Sequence, residues 1–159
     1  MSDDIGKKAE HKIREWLDRP EQGYCFDRIP DQMNGFYGSC NICDFLLYKY
    51  PTLYYIESKA TYGERFDFAR ISEYQMTHML AKSNIAHVEA VVVVLFATYK
   101  RAFLLRIKDI AESISQGHKS INITKIDKWI IPYSEIRTVP NSRKSLLDYE
   151  GEIEEYVRS

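Results

Sequence analysis

Two apolar, aromatic-rich runs, residues 44–49 and 53–59, stand on either side of Tyr50-Pro51-Thr52. Short apolar runs separated by a Pro-containing turn are typical of a β-hairpin. Apolar side chains fall on both faces of each run, so we expect both strands to lie inside a sheet rather than at a solvated edge. This hairpin constrains the fold most, because it requires further strands beside it and helices over its faces.

The rest of the chain supplies those strands and helices. Ser72 and Gln75 form a capping-box pattern that predicts a helix to about residue 83. Further helices are predicted at 4–18, 108–115 and 146–157, strands at 24–29, 89–96 and 102–107, and connections at 30–39, 61–70 and 97–101. We therefore predict one α/β domain over residues 1–159, with a mixed central β-sheet flanked by helices.

Hydropathy excludes a membrane-spanning helix. The longest strongly apolar stretch, residues 90–97, is far shorter than the roughly 20 residues that cross a bilayer. The first ten residues are polar and charged, unlike a signal peptide. We expect a cytoplasmic protein.

The formal net charge of −1 argues against a uniformly basic nucleic-acid-binding surface. Any contact with nucleic acid must then use clustered cations. Lys7 and Lys8 in the first helix are one candidate cluster, and Lys100 with Arg101 in the predicted turn is another. Solvated surface charge is the equally ordinary interpretation of either cluster.

Asp44 begins one buried strand of the hairpin, and Glu57 lies near the end of the other. A turn centred on Tyr50 and Pro51 places these two carboxylates opposite each other. Adjacent carboxylates repel unless a cation lies between them, and hard oxygen ligands suit Mg²⁺ or Mn²⁺. Lys59 follows Glu57 on the same strand face, where an ammonium group can stabilise charge on a phosphate. This set predicts phosphodiester hydrolysis, with a plain salt bridge to Lys59 as the alternative.

The spacing Asp44…Glu57-Ser58-Lys59 resembles the D…(D/E)xK signature of restriction-endonuclease-like nucleases. The longer segment 57–79 resembles the RecU-type Holliday junction resolvases, since ExK is followed by Thr, by a Phe-centred loop at 66–68 and by Gln75-x-x-His78-Met79. Residues 6–10 are similar to the family's G-x-x-x-E on its first helix, and residues 147–149 to its closing region.

The resemblance implies a restriction-endonuclease-like fold and a homodimeric, Mg²⁺- or Mn²⁺-dependent endonuclease that resolves Holliday junctions or other branched DNA. It implies Asp44 and Glu57 as metal ligands, Lys59 as the catalytic lysine and Glu10 as an accessory carboxylate, although a surface charge on the helix is the simpler interpretation of Glu10.

The helix residues Gln75 and His78 carry weaker expectations. Gln75 would contact DNA or the metal site, or serve only as the capping-box residue, and His78 would pack or contact phosphate. The segment between Pro30 and Asp44 is short for the protruding stalk of the RecU family, which leaves open a repair or restriction-like endonuclease acting on linear or flapped duplex DNA. A catalytically silent DNA-binding module is a further alternative, against which the complete D…ExK set argues.

Overall fold

The computed structural model describes residues 2–30 and 40–136. Its α-helices are α1 (Ser2–Leu17), α2 (Glu73–Ser83) and α3 (Ile107–Ser115). Its strands are β1 (Cys25–Arg28), β2 (Phe45–Lys49), β3 (Thr52–Thr61), β4 (Arg65–Asp67), β5 (Val88–Phe96), β6 (Arg101–Arg106), β7 (Ser120–Asn122) and β8 (Ser134–Ile136). Short 3-10 helices occupy Pro20–Gln22, Phe68–Arg70 and Ile123–Lys128.

A six-stranded mixed sheet with the order β1-β2-β3-β5-β6-β8 forms the centre of the molecule. β3 and β5 run parallel, and every other neighbouring pair is antiparallel. The β2–β3 hairpin lies inside the sheet, and its register pairs Phe45 with Ile56. Both the interior position of the hairpin and its register were predicted from the sequence.

Helices cover both faces of this sheet because β3 and β5 are apolar on both sides. α1 packs its apolar stripe, Ile5, Ala9, Ile13 and Leu17, against one face, while α2 and α3 cover the other. Because successive side chains of a strand point to opposite faces of the sheet, Ile56 of β3 points towards α1 and Glu57 points towards the face that α2 covers. The predicted α/β architecture, a mixed sheet flanked by helices, is therefore confirmed.

Several short elements escaped sequence analysis. The segment 61–70, expected to be a loop, contains β4 and a 3-10 helix, and β4 pairs with β7 in a small second sheet. Arg101 belongs to β6 rather than to the preceding turn, and β8 extends the main sheet beside it. Strands of three residues are too short to show an alternating pattern in the sequence. The position of β4 depends instead on the burial of Phe66 in the folded chain.

Other predictions fall outside the described residues: the connection at 31–39, the helix at 146–157 and the family-like segment at 147–149. Within the ranges 2–30 and 40–136, every helix is too short or too polar to cross a bilayer.

Candidate active site

The main chain fixes Asp44 immediately before β2. Its N–H donates to the carbonyl oxygen of Ile56 at 3.0 Å, and its own carbonyl oxygen accepts the N–H of Ile29 at 2.8 Å. The carboxylate is held as well, because Oδ2 accepts the backbone N–H of Ser58 at 2.8 Å. Asp44 is thus tied to β3 and to the end of β1, which sets the direction of its carboxylate.

Glu57 projects from the middle of β3 and is only 3% exposed. Its Oε1 lies 3.1 Å from the Nζ of Lys59, two residues further along the strand. Its Oε2 is buried and has no hydrogen-bond partner among the described residues. A buried carboxylate oxygen without a partner is costly, so this atom calls for a positively charged ligand.

The surroundings of the two carboxylates raise the proton affinity of both. Burial, and then the negative charge of Glu57, raise the pKa of Asp44 to about 7, against the opposing effect of the Ser58 N–H. Burial likewise raises the pKa of Glu57, while Lys59 and the side chain of Gln75 act in the opposite direction. Without a cation, both carboxyl groups therefore hold a proton more tightly than they would in water.

The donor set fits a divalent cation with a preference for oxygen. Glu57 lies close enough to Asp44 for its negative charge to raise the pKa of Asp44, and Glu57 Oε2 lacks a partner among the described residues. Such a pair gains most from an ion like Mg²⁺ or Mn²⁺. In the part of the chain that the structure describes, no three His, Cys, Asp or Glu side chains are arranged to hold a metal ion. Asp44 and Glu57 thus form a pair of candidate ligands, without a third.

Gln75 takes part in two interactions at the start of α2. Its N–H donates to Ser72 Oγ at 3.1 Å, and its Oε1 accepts the Ser72 N–H at 3.3 Å, which completes the predicted capping box. Its side chain also favours the ionised form of Glu57. The capping-box interpretation of Gln75 is therefore confirmed, while a contact of Gln75 with DNA or a metal ion stays a prediction. His78, one turn further along α2, packs against Tyr74 with the ring centroids 4.1 Å apart.

Glu10 is ion-paired rather than a simple surface charge. Its Oε2 accepts from Arg28 Nε at 3.0 Å and from Nη2 at 2.8 Å. Its negative charge contributes to the raised pKa of Asp44 and of Glu57. Sequence reasoning did not find Arg28, because its partner lies 18 residues earlier and no local pattern links the two.

The family model RecU (Recombination protein U) matches residues 32–154, which is well over half of the chain. The chain belongs to the RecU family. The match spans Asp44, Glu57 and Lys59 and confirms the resemblance that segment 57–79 carried.

Other comparisons with known proteins are more distant. The solved structure of Hjc, a Holliday junction resolvase from the archaeal hyperthermophile Archaeoglobus fulgidus, is 14% identical in sequence. The similarity covers 65% of this chain and 78% of Hjc, with a TM-score of 0.46. The search of curated proteins found no significant match.

The predicted cationic contacts of this RecU protein lie in three different settings. Lys7 and Lys8 are exposed on α1, within one turn of Glu10. Lys100 is exposed in the turn after β5, with a left-handed backbone (φ 52°). Arg101 is directed to Glu135 of β8, with contacts of 2.7 and 2.8 Å, and stacks over Phe103. The guanidinium of Arg101 therefore already links β6 to β8.

Proposed function

We propose that this RecU family member is a metal-dependent endodeoxyribonuclease that resolves Holliday junctions or other branched DNA by phosphodiester hydrolysis. The observation that carries this proposal is the pair of the half-buried Asp44 and the buried Glu57, with Lys59 Nζ 3.1 Å from Glu57 Oε1 and Glu57 Oε2 without a partner among the described residues. Two like charges shielded from water beside a lysine have little structural purpose, but they suit an ion and a phosphate.

Asp44 and Glu57 would hold the cation, Mg²⁺ or Mn²⁺, which when bound supplies Lewis-acid stabilisation of the phosphate charge. The chain's own groups hold the two ligands in place. The Ser58 N–H directs Asp44 Oδ2, while Lys59 binds Glu57 Oε1 and leaves Oε2 for the ion. Gln75 favours ionised Glu57 from the side of α2. The carboxylates are therefore prepared to bind a cation.

Lys59 has the second chemical role. Its side chain is 19% exposed, so the ammonium group is largely shielded from water yet lies beside the proposed phosphate position. A positive charge in such a setting stabilises the charge that develops on the phosphate and orients the attacking water. We propose Lys59 as the catalytic lysine and Glu10 as an accessory carboxylate outside the ligand pair.

The proposed DNA contacts are Lys7, Lys8, Lys100 and Arg101, with Gln75 and His78 nearer the scissile phosphate. Lys100 lies in the turn after β5, at the edge of the sheet where β3 and β5 both end. Glu57 lies four positions before Thr61, the last residue of β3, which is a distance of roughly 13 Å along the strand. Cations at that distance would bind backbone phosphates flanking the cut rather than the reacting phosphate.

We also propose a homodimer, because resolving a four-way junction by symmetric nicks requires two active sites related by a two-fold axis. Each subunit would use residues 1–159 as one nuclease domain. We expect the activity in the cytoplasm, where the DNA would be encountered.

A synthetic four-way junction and a linear duplex of the same sequence test this proposal directly. With Mg²⁺ present, the junction should be cleaved into nicked duplexes much faster than the linear duplex. Asp44→Asn should abolish cleavage while leaving junction binding largely intact, since it removes a ligand charge but not the shape of the side chain. Equal rates on both substrates would indicate an endonuclease acting on ordinary duplex DNA. Absence of cleavage with intact binding would indicate a silent DNA-binding module, and cleavage by Asp44→Asn would show that the metal site is misassigned.

A further inference from the structure

The ion pair between Arg28 and Glu10 lies beside the proposed ligand pair rather than at a distant surface. Arg28 ends β1, and the N–H of the next residue, Ile29, donates to the carbonyl oxygen of Asp44 at 2.8 Å. Glu10, on α1, adds to the raised pKa of Asp44 and of Glu57. The charge of Glu10 thus acts on both proposed ligands while its own carboxylate is bound to a guanidinium.

The contact between Arg28 and Glu10 has a definite geometry. Two nitrogen atoms of the Arg28 guanidinium, Nε and Nη2, donate to the same oxygen of Glu10, Oε2, at 3.0 and 2.8 Å. The two side chains are 33% and 25% exposed, so the pair is partly shielded from solvent and more persistent than a fully exposed one. Both described contacts of the Glu10 carboxylate fall on Oε2, so rotation of Glu10 towards Asp44 and Glu57 would break two hydrogen bonds.

The position of the Glu10 carboxylate determines how much negative charge surrounds a bound cation. With three carboxylates free, the site would carry one more negative charge near the ion than Asp44 and Glu57 provide. A third carboxylate that joined the ligands would tighten cation binding and occupy space that the phosphate needs. The described arrangement instead holds Glu10 near the pair but not in a common ion-binding cluster with it.

We propose that Arg28 is a positioning residue that acts through Glu10. It holds the Glu10 carboxylate as an outer charge beside the Asp44–Glu57 pair and prevents it from becoming a third direct ligand. This inference rests on the proposed function, because it presumes that Asp44 and Glu57 bind a divalent cation.

Binding of Mn²⁺ to the DNA-free protein, measured by titration calorimetry, tests the role of Arg28 without relying on cleavage. Arg28→Gln should tighten Mn²⁺ binding roughly fivefold, because Glu10 is released and can approach the ion. In a Glu10→Gln background the same Arg28→Gln change should alter the affinity less than about twofold. The non-additivity is the signature of an effect transmitted through Glu10.

Removal of a positive charge by itself also tightens cation binding, and the design separates the two causes. An effect of charge without positioning would give the same tightening in the wild-type and Glu10→Gln backgrounds, and that result would overturn the proposal. Arg28→Lys keeps the charge but loses the two-donor contact, so it should still tighten binding. A wild-type affinity in Arg28→Lys would likewise count against positioning.

Two further outcomes are informative. If thermal unfolding shows that Arg28→Gln is not folded, Arg28→Lys with and without Glu10→Gln supplies the same comparison. If wild-type protein does not bind Mn²⁺ and Asp44→Asn changes nothing, the proposed metal site fails and the role of Arg28 fails with it. Mn²⁺ binding that depends on Asp44 but shows additive effects of Arg28 and Glu10 leaves the proposed function standing and removes only this inference.

Discussion

At the scale of single residues, the burial of two acidic groups has a consequence that is measurable without DNA. The pKa of Asp44 is about 7 in the folded protein, above its ordinary value of 3.8, and that of Glu57 is raised too. A raised pKa means that the folded state binds the proton more tightly than the unfolded state. The resulting stabilisation is complete below about pH 4 and is lost as the pH rises through 7.

We therefore expect the free energy of unfolding in EDTA to fall between pH 5.5 and 8.5, by an amount on the order of a few kcal/mol. Urea unfolding at both pH values measures this difference. Asp44→Asn should flatten the dependence, because its amide does not titrate, and Mg²⁺ should restore stability at pH 8.5. A wild-type slope equal to that of Asp44→Asn would mean that ionisation of Asp44 is not coupled to folding.

Lys59 provides the second prediction at this scale. Lys59→Met keeps the length of the side chain but removes the charge beside Glu57. We expect Mg²⁺-dependent cleavage to fall about 100-fold or more, as when one stabilising donor is removed from a transition state. Single-turnover rates at saturating enzyme measure the chemical step. Lys108→Met, on the exposed face of α3, is the matched control and should cleave at the wild-type rate.

Single residues also show how far sequence reasoning extends. That Asp44 and Glu57 lie close together was predictable, because the register that pairs Phe45 with Ile56 follows from the position of the turn. The pairing of Glu10 with Arg28 was not, since it joins α1 to β1 through space. The setting of Arg101 was not predictable for the same reason, because its partner Glu135 lies 34 residues away. The sequence predicted an arginine in a turn, whereas the folded chain pairs this side chain with the neighbouring strand.

At the scale of elements, the elements marked by local sequence signals were predicted correctly, whereas those formed by pairing of distant segments were not. The capping box at Ser72 and Gln75 placed the start of α2, because both hydrogen bonds lie within four consecutive residues. The strands β4 and β7 pair across more than fifty residues and span three residues each, so neither shows a pattern of its own. The segment between β3 and α2 is therefore ordered by its contacts in the fold.

The capping box offers a prediction that links this element to the site. Ser72→Ala removes the hydroxyl that accepts the Gln75 N–H and should lower the free energy of unfolding by about 1 kcal/mol. Because Gln75 also faces Glu57, cleavage should fall more than the loss of stability explains. Thermal unfolding and cleavage rates at 25 °C measure the two effects. Thr77→Ala, exposed on the same helix, is the control and should change neither by much.

Activity equal to wild type in a destabilised Ser72→Ala protein would show that the cap supports α2 without positioning Gln75. Gln75→Ala separates the contributions further, because it removes the side chain near Glu57 and half of the capping box together. Its cleavage rate should be lower than that of Ser72→Ala at comparable stability.

At the scale of the whole molecule, a net charge of −1 must be reconciled with a polyanionic substrate. The site itself is acidic, since Glu10, Asp44 and Glu57 outnumber the cations Arg28 and Lys59 around them. Long-range attraction to DNA therefore depends on separate cationic contacts, and each phosphate contact adds to the salt dependence of binding.

The contribution of Lys7 and Lys8 to DNA binding can be measured from its salt dependence. If both bind phosphates, Lys7→Gln with Lys8→Gln should reduce the slope of log affinity against log salt concentration by about 1.8, that is about 0.9 for each contact. Junction affinities of metal-free protein between roughly 50 and 200 mM salt, measured by fluorescence anisotropy, give that slope. Lys125→Gln with Lys128→Gln removes the same charge from another exposed segment and should leave the slope nearly unchanged. Equal reductions in both double variants would assign the effect to overall charge, and Lys7 and Lys8 would then be solvated surface residues rather than DNA contacts.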